Sequence, residues 1–182
     1  MGYTSDGTQK NWLEQLVEKI PGISGYQAKE TRRDVDKLYR DNLADRLRAT
    51  KNGIGGVVRD LTDGGRLLEV APLERISKKI DTVENRVRHA SYGYSGFFDA
   101  VQIKEQQLDA LYQFDLRLVE RVEAVEGQAS GLRAAEGTPT ELKTAAGALE
   151  QTVDDLGAEF DKRQQAINGY AEASATGRPL FS

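Results

Sequence analysis

The chain contains no cysteine and one histidine among its 182 residues. Without cysteine it has no disulfide bond, no thiolate metal ligand and no cysteine nucleophile. With His89 as its sole imidazole, it has no metal site built on two histidines and at most one imidazole base. These absences lead us to expect no cofactor, no metal ion and no catalytic residue.

Long apolar runs are absent as well. No stretch approaches the ~18 consecutive apolar residues of a transmembrane helix. The first residues also lack the basic and then apolar run that is typical of a signal peptide. We therefore expect a cytoplasmic protein.

Charged side chains are abundant. They make up 30% of the chain, against 38% hydrophobic residues, a balance typical of long amphipathic helices. The formal net charge is −4, but residues 1–100 carry 17 basic and 15 acidic side chains, whereas residues 101–182 carry 8 and 14. The opposite signs of the two halves favour attraction within one molecule or between copies.

Apolar residues recur at helical spacing in five segments, and no segment shows the alternation of a strand. In the last segment Leu142, Leu149 and Leu156 occupy one heptad position, as in a coiled coil. The predicted helices cover residues 8–20, 25–51, 72–90, 97–126 and 138–168.

Helix boundaries follow from capping residues and glycine clusters. Thr138-x-x-Glu141, with Pro139 at the first helical position, is the clearest helix start. We interpret the glycine-rich stretch 53–65 as a loop or hinge that encloses a short helical piece. The stretch 127–137 is interpreted as a linker or a frayed helical return.

Helices with narrow apolar seams must pack against neighbours to be stable. We therefore predict an all-α fold, an elongated antiparallel helical bundle of coiled-coil hairpins with about five helices. The predicted segments are an N-terminal helix (1–22), a first hairpin with a glycine-rich connector (23–96), a second hairpin (97–170) and a disordered tail (171–182).

Two glycine-containing motifs fail the spacing of ligand-binding loops. The cluster Gly53–Gly56 lacks the sixth-position glycine of a dinucleotide loop, and the chain has no Gly-Lys-Ser/Thr of a phosphate loop. The stretch from Asp60 has Gly64 at position five and Ala71 at position twelve, where a calcium loop needs oxygen ligands. Both motifs are therefore interpreted as connectors.

Four aromatic side chains, Tyr92, Tyr94, Phe97 and Phe98, lie close together between glycines. Such a cluster needs burial or a partner. One interpretation is a packed corner that closes the end of the bundle. The alternative is an exposed surface on which these four residues bind another protein or another copy. A ligand stacked between the two tyrosines is a third interpretation.

Basic residues concentrate between Lys29 and Lys51. A basic helix of this kind binds phosphates or anionic lipid headgroups, and its contact residues would be Arg32, Arg33, Lys37 and Arg40. Acidic residues are interspersed at helical spacing, which favours a solvated face of local ion pairs instead.

Helical seams without a convergent set of polar residues indicate a non-enzymatic coiled-coil protein with a structural or adaptor role in protein–protein assembly. Its expected partner is another protein or a second copy of itself, with no small-molecule substrate. The alternative is a peripheral protein that binds an anionic membrane or nucleic acid through the basic helix 29–51.

Overall fold

A computed structural model describes residues 32–90 and 105–176 of the chain. These ranges contain four α-helices and no strand, which confirms the all-α helical bundle. The predicted helix at 8–20 lies outside the described residues, and the observed count is four helices rather than about five. The helices are α1 (Arg32–Asp63), α2 (Leu67–Arg88), α3 (Glu105–Ala135) and α4 (Pro139–Thr176).

α1 runs without a break through the glycine cluster that the sequence analysis assigned to a loop or hinge. That prediction is wrong for residues 53–63. Ile54, Val57 and Leu61 continue the buried seam, and each is at most 1% exposed. Burial of one such side chain contributes about 1.5–3 kcal/mol. This gain exceeds the ~1 kcal/mol that a helical glycine costs.

The connection between α1 and α2 is a short turn at residues 64–66. Gly65 has a φ of 74°, in the left-handed region that glycine adopts without strain. α2 then begins at Leu67, ahead of the predicted start at Pro72. Because Pro72 has no N–H, the carbonyl of Leu68 receives no intrahelical hydrogen bond at this exposed end of the helix.

The second glycine-rich stretch is also mostly helical, because α3 continues to Ala135 around the fully buried Leu132. The predicted start of α4 is confirmed. Thr138 Oγ1 accepts a hydrogen bond from the Glu141 N–H at 3.2 Å and donates one to Glu141 Oε2 at 2.8 Å. α4 ends at Thr176, so the helix extends past the predicted end at 168 and into the predicted disordered tail.

The described helices fall into two compact units. Unit 1 contains α1 up to Arg40, α3 up to Val119 and α4 from Glu159 onward. Unit 2 contains the remaining parts of these helices and all of α2.

Unit 2 is a four-helix arrangement in which the order of neighbours is α1, α2, α4 and α3. Ion pairs join each helix to the next around this ring. Where α1 contacts α3, and where α2 contacts α4, residues with higher numbers on one helix contact residues with higher numbers on the other, so the two helices of each pair are parallel. The helices of each hairpin, α1 with α2 and α3 with α4, are antiparallel. The defining pairs are Lys51–Asp81, Arg75–Glu150, Lys79–Asp154, Arg121–Asp155, Arg46–Glu126 and Arg133–Asp60.

Unit 1 has an apolar core in which Leu111 of α3 packs with Ile167 of α4. Tyr39, Leu118 and Phe160 are buried in the same unit. The predicted seam positions therefore form cores in both units. None of α1 to α4 has an apolar stretch of membrane-spanning length.

Candidate functional site

Three charged side chains from three helices meet inside unit 1. Arg163 of α4 is 1% exposed. Its Nε donates to Asp115 Oδ1 of α3 at 2.5 Å, and its Nη2 donates to Asp36 Oδ1 of α1 at 2.8 Å. We refer to Asp36, Asp115 and Arg163 as the polar layer.

Two further side chains surround the polar layer. The Tyr39 hydroxyl donates to the backbone carbonyl of Asp115 at 2.6 Å, and the Tyr39 ring centroid lies 5.8 Å from the Arg163 guanidinium carbon. Arg40 Nε donates to the second carboxylate oxygen of Asp36 at 2.9 Å. Two arginines therefore balance two carboxylates, and the group is neutral when all four are ionised.

Burial raises the pKa of Asp115 from its ordinary value of 3.8 to about 6. The main cause is the loss of water around the carboxylate, and the negative charge of Asp36 adds to it. The charge and hydrogen bond of Arg163 act in the opposite direction and limit the rise in pKa. Asp115 therefore changes its protonation state near neutral pH, although an arginine binds it.

The polar layer holds helices together. Each carboxylate is bound by an arginine, and the Tyr39 hydroxyl donates to a main-chain carbonyl, so the hydrogen bonds of the layer run between helices. Within the described residues, no group of three or more His, Cys, Asp or Glu side chains is placed to hold a metal ion. The layer connects α1 with the α3–α4 hairpin by charge.

The sequence analysis missed the polar layer, although the sequence contains a signal for it. Arg163 continues the heptad series of Leu142, Leu149 and Leu156, in which the other members are apolar and buried. Asp115 stands seven residues before the buried Val122. A charged residue at a seam position predicts a buried polar contact, but the partners are distant in sequence and cannot be identified from spacing alone.

In unit 2, exposed ion pairs connect neighbouring helices. On the α2–α4 surface, Arg75 donates to both carboxylate oxygens of Glu150 at 2.9 Å, and Lys79 binds Glu150 at 3.0 Å. Hydrogen bonds from Arg75 and Lys79 lower the pKa of Glu150 to about 2. These cations are thus engaged by carboxylates of the same molecule.

Two leucines at the start of α2 form an exposed apolar pair. Among the described residues, Leu67 and Leu68 are the large hydrophobic side chains that stay exposed, at 63% and 93%. The adjacent turn is held in place by Arg66, which donates to the carbonyl of Glu136 and forms an ion pair with Glu69. The leucine pair is therefore presented on a supported turn of unit 2, and the sequence analysis did not select it.

The aromatic residues predicted to bind a partner, Tyr92, Tyr94, Phe97 and Phe98, lie outside the described residues. Their role as a packed corner or as an interaction surface stays a prediction.

The predicted anion contacts are partly described, and their binding of an anion stays a prediction. Arg32 and Arg33 lie in the first turn of α1, and their side chains are outside the described part of the structure. Lys37 is exposed, whereas Arg40 is half-buried against Asp36. Cations farther along α1 also bind carboxylates of the protein: Arg46 with Glu126, Arg48 with Glu84, and Lys51 with Asp81.

Comparison with known proteins gives no match to a family model, to a curated protein or to a solved structure. The functional conclusion therefore depends on the residues and contacts described above.

Proposed function

We propose that the protein is a non-enzymatic, coiled-coil structural or adaptor protein that acts by binding another protein or a second copy of itself. The observation that carries this proposal is the exposure of Leu67 and Leu68 on a supported turn. Burial of a leucine side chain contributes about 1.5–3 kcal/mol. Two leucines exposed side by side, in a bundle whose other large apolar side chains are covered in the described ranges 32–90 and 105–176, are typical of a contact surface.

The use of charge supports the same proposal. Arg163 and Asp115, both buried in unit 1, bind each other. The exposed ion pairs of unit 2 bind helix to helix. Ionisable side chains in these contacts connect one helix of the bundle to another, which supports a structural role.

The ion pairs of α1 weigh against the alternative function, binding of an anionic membrane or nucleic acid. Phosphate binding requires cations that are available to the ligand. Arg46 instead makes a two-bond contact with Glu126 at 2.8 and 2.6 Å, and Lys51 binds Asp81 at 2.5 Å. A phosphate would have to displace these carboxylates.

Site-specific cross-linking tests the proposal. A photoreactive amino acid replaces Leu68 in one version of the protein and the exposed Thr82, on the same helix, in the control version. We expect position 68 to cross-link to one defined protein, or to a second copy, far more than position 82 does. The identified pair is then reconstituted from purified components.

Reconstitution provides the decisive measurement. The double substitution Leu67→Ser with Leu68→Ser should weaken binding by about tenfold or more, because burial of two leucine side chains is lost. Thr82→Ala should leave the affinity unchanged. Equal cross-linking at both positions, together with a monomer at all concentrations in light scattering, would refute the proposal.

A further inference from the structure

We propose that the polar layer selects α1 of the same chain as the helix that packs on α3 and α4 in unit 1, and sets its register. The apolar seams of the helices repeat along the sequence. Buried apolar residues recur at seven-residue intervals, as at Leu47, Ile54 and Leu61 in α1 and at Leu118, Val125 and Leu132 in α3. A helix shifted by one heptad therefore again places apolar residues of these series against one another. The apolar seam alone discriminates weakly between such arrangements.

The polar layer breaks this equivalence at one level of the bundle. Arg163 is fully buried and is bound by carboxylates from two other helices. If α1 shifted by one heptad, Leu43 would replace Asp36 at this level, and Arg163 would lose one of its two counter-charges. Removal of one partner from a buried ion pair disfavours the arrangement by about a hundredfold to a thousandfold.

A different helix does not supply the missing charge. The buried seam of α2 is apolar at Leu73, Ile76 and Ile80, and its buried carboxylate, Glu84, already binds Arg88 at 2.7 Å. A second α4 would bring one Arg163 against another. α3 already supplies Asp115, and of the other described helices α1 is the one that places a carboxylate, Asp36, on Arg163.

The connections of the chain leave this selection open. α3 and α4 are joined by a short turn, which restricts their register on its own. Asp36 and Arg163, by contrast, are 127 positions apart in sequence. No short connection holds α1 on the α3–α4 hairpin, so the contacts must choose the partner and the register.

Cross-linking reads the register directly, because the chain has no cysteine of its own. The native reporter is R46C/E126C, at a pair whose side chains meet at 2.6 Å. The shifted reporter is G53C/E126C, because position 53 takes the place of position 46 when Leu43 replaces Asp36. Both are treated with a short bifunctional thiol reagent and analysed on denaturing gels. Because α1 is one continuous helix, a shift in its register also moves position 46.

Each reporter is combined with the native polar layer and with the triple substitution D36L/D115L/R163L. With the native layer we expect the native reporter to cross-link within one chain and the shifted reporter to stay at background. In the leucine triple, the shifted product or a cross-linked dimer should rise at least about tenfold. Circular dichroism checks that the triple variant stays helical.

A control variant, L111M/I167L, changes the apolar core of unit 1 without changing charge, and it should retain the native pattern. If the leucine triple aggregates, D36N/D115N/R163Q removes the charges while keeping similar side-chain sizes, and it replaces the triple in the comparison. The proposal is overturned if the charge-free variant is helical and still forms the native cross-link alone.

Discussion

Burial determines how much an individual ion pair contributes to the stability of this protein. Arg163 is 1% exposed, whereas Arg121 and Asp155, which form an ion pair at 3.6 Å on the same two helices, α3 and α4, have side chains that are 47% and 43% exposed. Removal of one partner from a buried pair costs about 3–5 kcal/mol, because the remaining charge is left in a dry environment. An exposed pair contributes ~0–1 kcal/mol.

We therefore expect Arg163→Met to lower the free energy of unfolding by about 3–5 kcal/mol. Arg121→Met, the matched control, should lower it by less than about 1 kcal/mol. Urea denaturation followed by circular dichroism measures both. Equal losses for the two variants would show that the Arg163 pair contributes no more than a surface contact.

Asp115 gives stability a dependence on pH. Its pKa is raised in the folded protein from 3.8 to about 6, so the folded state binds the proton more tightly than the unfolded state. The stability that this group contributes is therefore complete below pH ~3.8 and is lost as the pH rises through about 6. The charged groups that act on Asp115 from α1 and α4 are Asp36 and Arg163, and Arg40 binds Asp36.

The test compares the wild type with Asp115→Asn by urea denaturation between about pH 4 and pH 8. We expect the wild type to lose about 2–3 kcal/mol relative to the variant across this range, because only the wild type must bury an ionised carboxylate at position 115 at high pH. The raised pKa would be contradicted if the difference in free energy of unfolding between the two proteins stayed constant with pH, or if it shifted in favour of the wild type as the pH rises.

Glu150 provides an internal contrast at the opposite end of the pH range. Its pKa is lowered to about 2 by Arg75 and Lys79, so its contribution is present above pH ~4.5 and is lost as the pH falls toward about 2. Glu150→Gln should therefore change how the free energy of unfolding depends on pH below about 4.5. It should leave the pH dependence around pH 6, which Asp115 causes, unchanged.

At the scale of the element, α1 shows how packing overrides the preference of individual residues. Gly53 and Gly55 are exposed and helical, and a Cβ atom at either position would meet nothing within 4 Å. Alanine loses less backbone entropy than glycine when a helix forms. If this stretch is helical, replacing a glycine by alanine should raise the free energy of unfolding. If it were a loop, no such gain would be expected.

We expect Gly53→Ala and Gly55→Ala each to raise the free energy of unfolding by up to ~1 kcal/mol. Thermal unfolding of the single and double variants measures this gain. The control is Gly65→Ala at the turn, which should destabilise the protein because Gly65 has a φ of 74°. A loss of stability at positions 53 and 55 would contradict the continuous helix.

Gly56, in the same helix, has a different environment. A Cβ atom there would lie 3.0 Å from Arg133 Nη2, a flexible side-chain end that must move aside. Gly56→Ala should therefore raise the free energy of unfolding by less than Gly53→Ala does, although the two residues lie in the same helix.

For the whole molecule, the net charge of −4 and the pairing of cations determine which surfaces attract it. We expect the protein to bind vesicles of anionic lipid at low salt no better than it binds neutral vesicles. Single-stranded RNA should likewise retain no more protein than neutral vesicles do. Co-sedimentation measures this. The variant D81N/E126Q removes the carboxylate partners of Lys51 and Arg46, and it should gain salt-sensitive binding. Strong binding by the wild type would instead favour the alternative function.

Several features of the fold could be predicted from the sequence. The heptad seam of Leu142, Leu149 and Leu156 is buried as expected, because apolar periodicity is a local property of the chain. The start of α4 at Pro139 was predictable for a similar reason, since the capping residues Thr138 and Glu141 are neighbours in sequence. The glycine stretch 53–63 was predicted wrongly, because its helix depends on burial against other helices.

Spacing along the chain was thus sufficient to determine an all-helical protein and the faces that its helices bury. The tertiary structure alone decided that Arg163 lies between Asp115 and Asp36, and that Leu67 and Leu68 stay in solvent. The reason is physical. Helix formation depends on residues a few positions apart, whereas the cost or gain of a charge or a leucine depends on distant segments that fold around it.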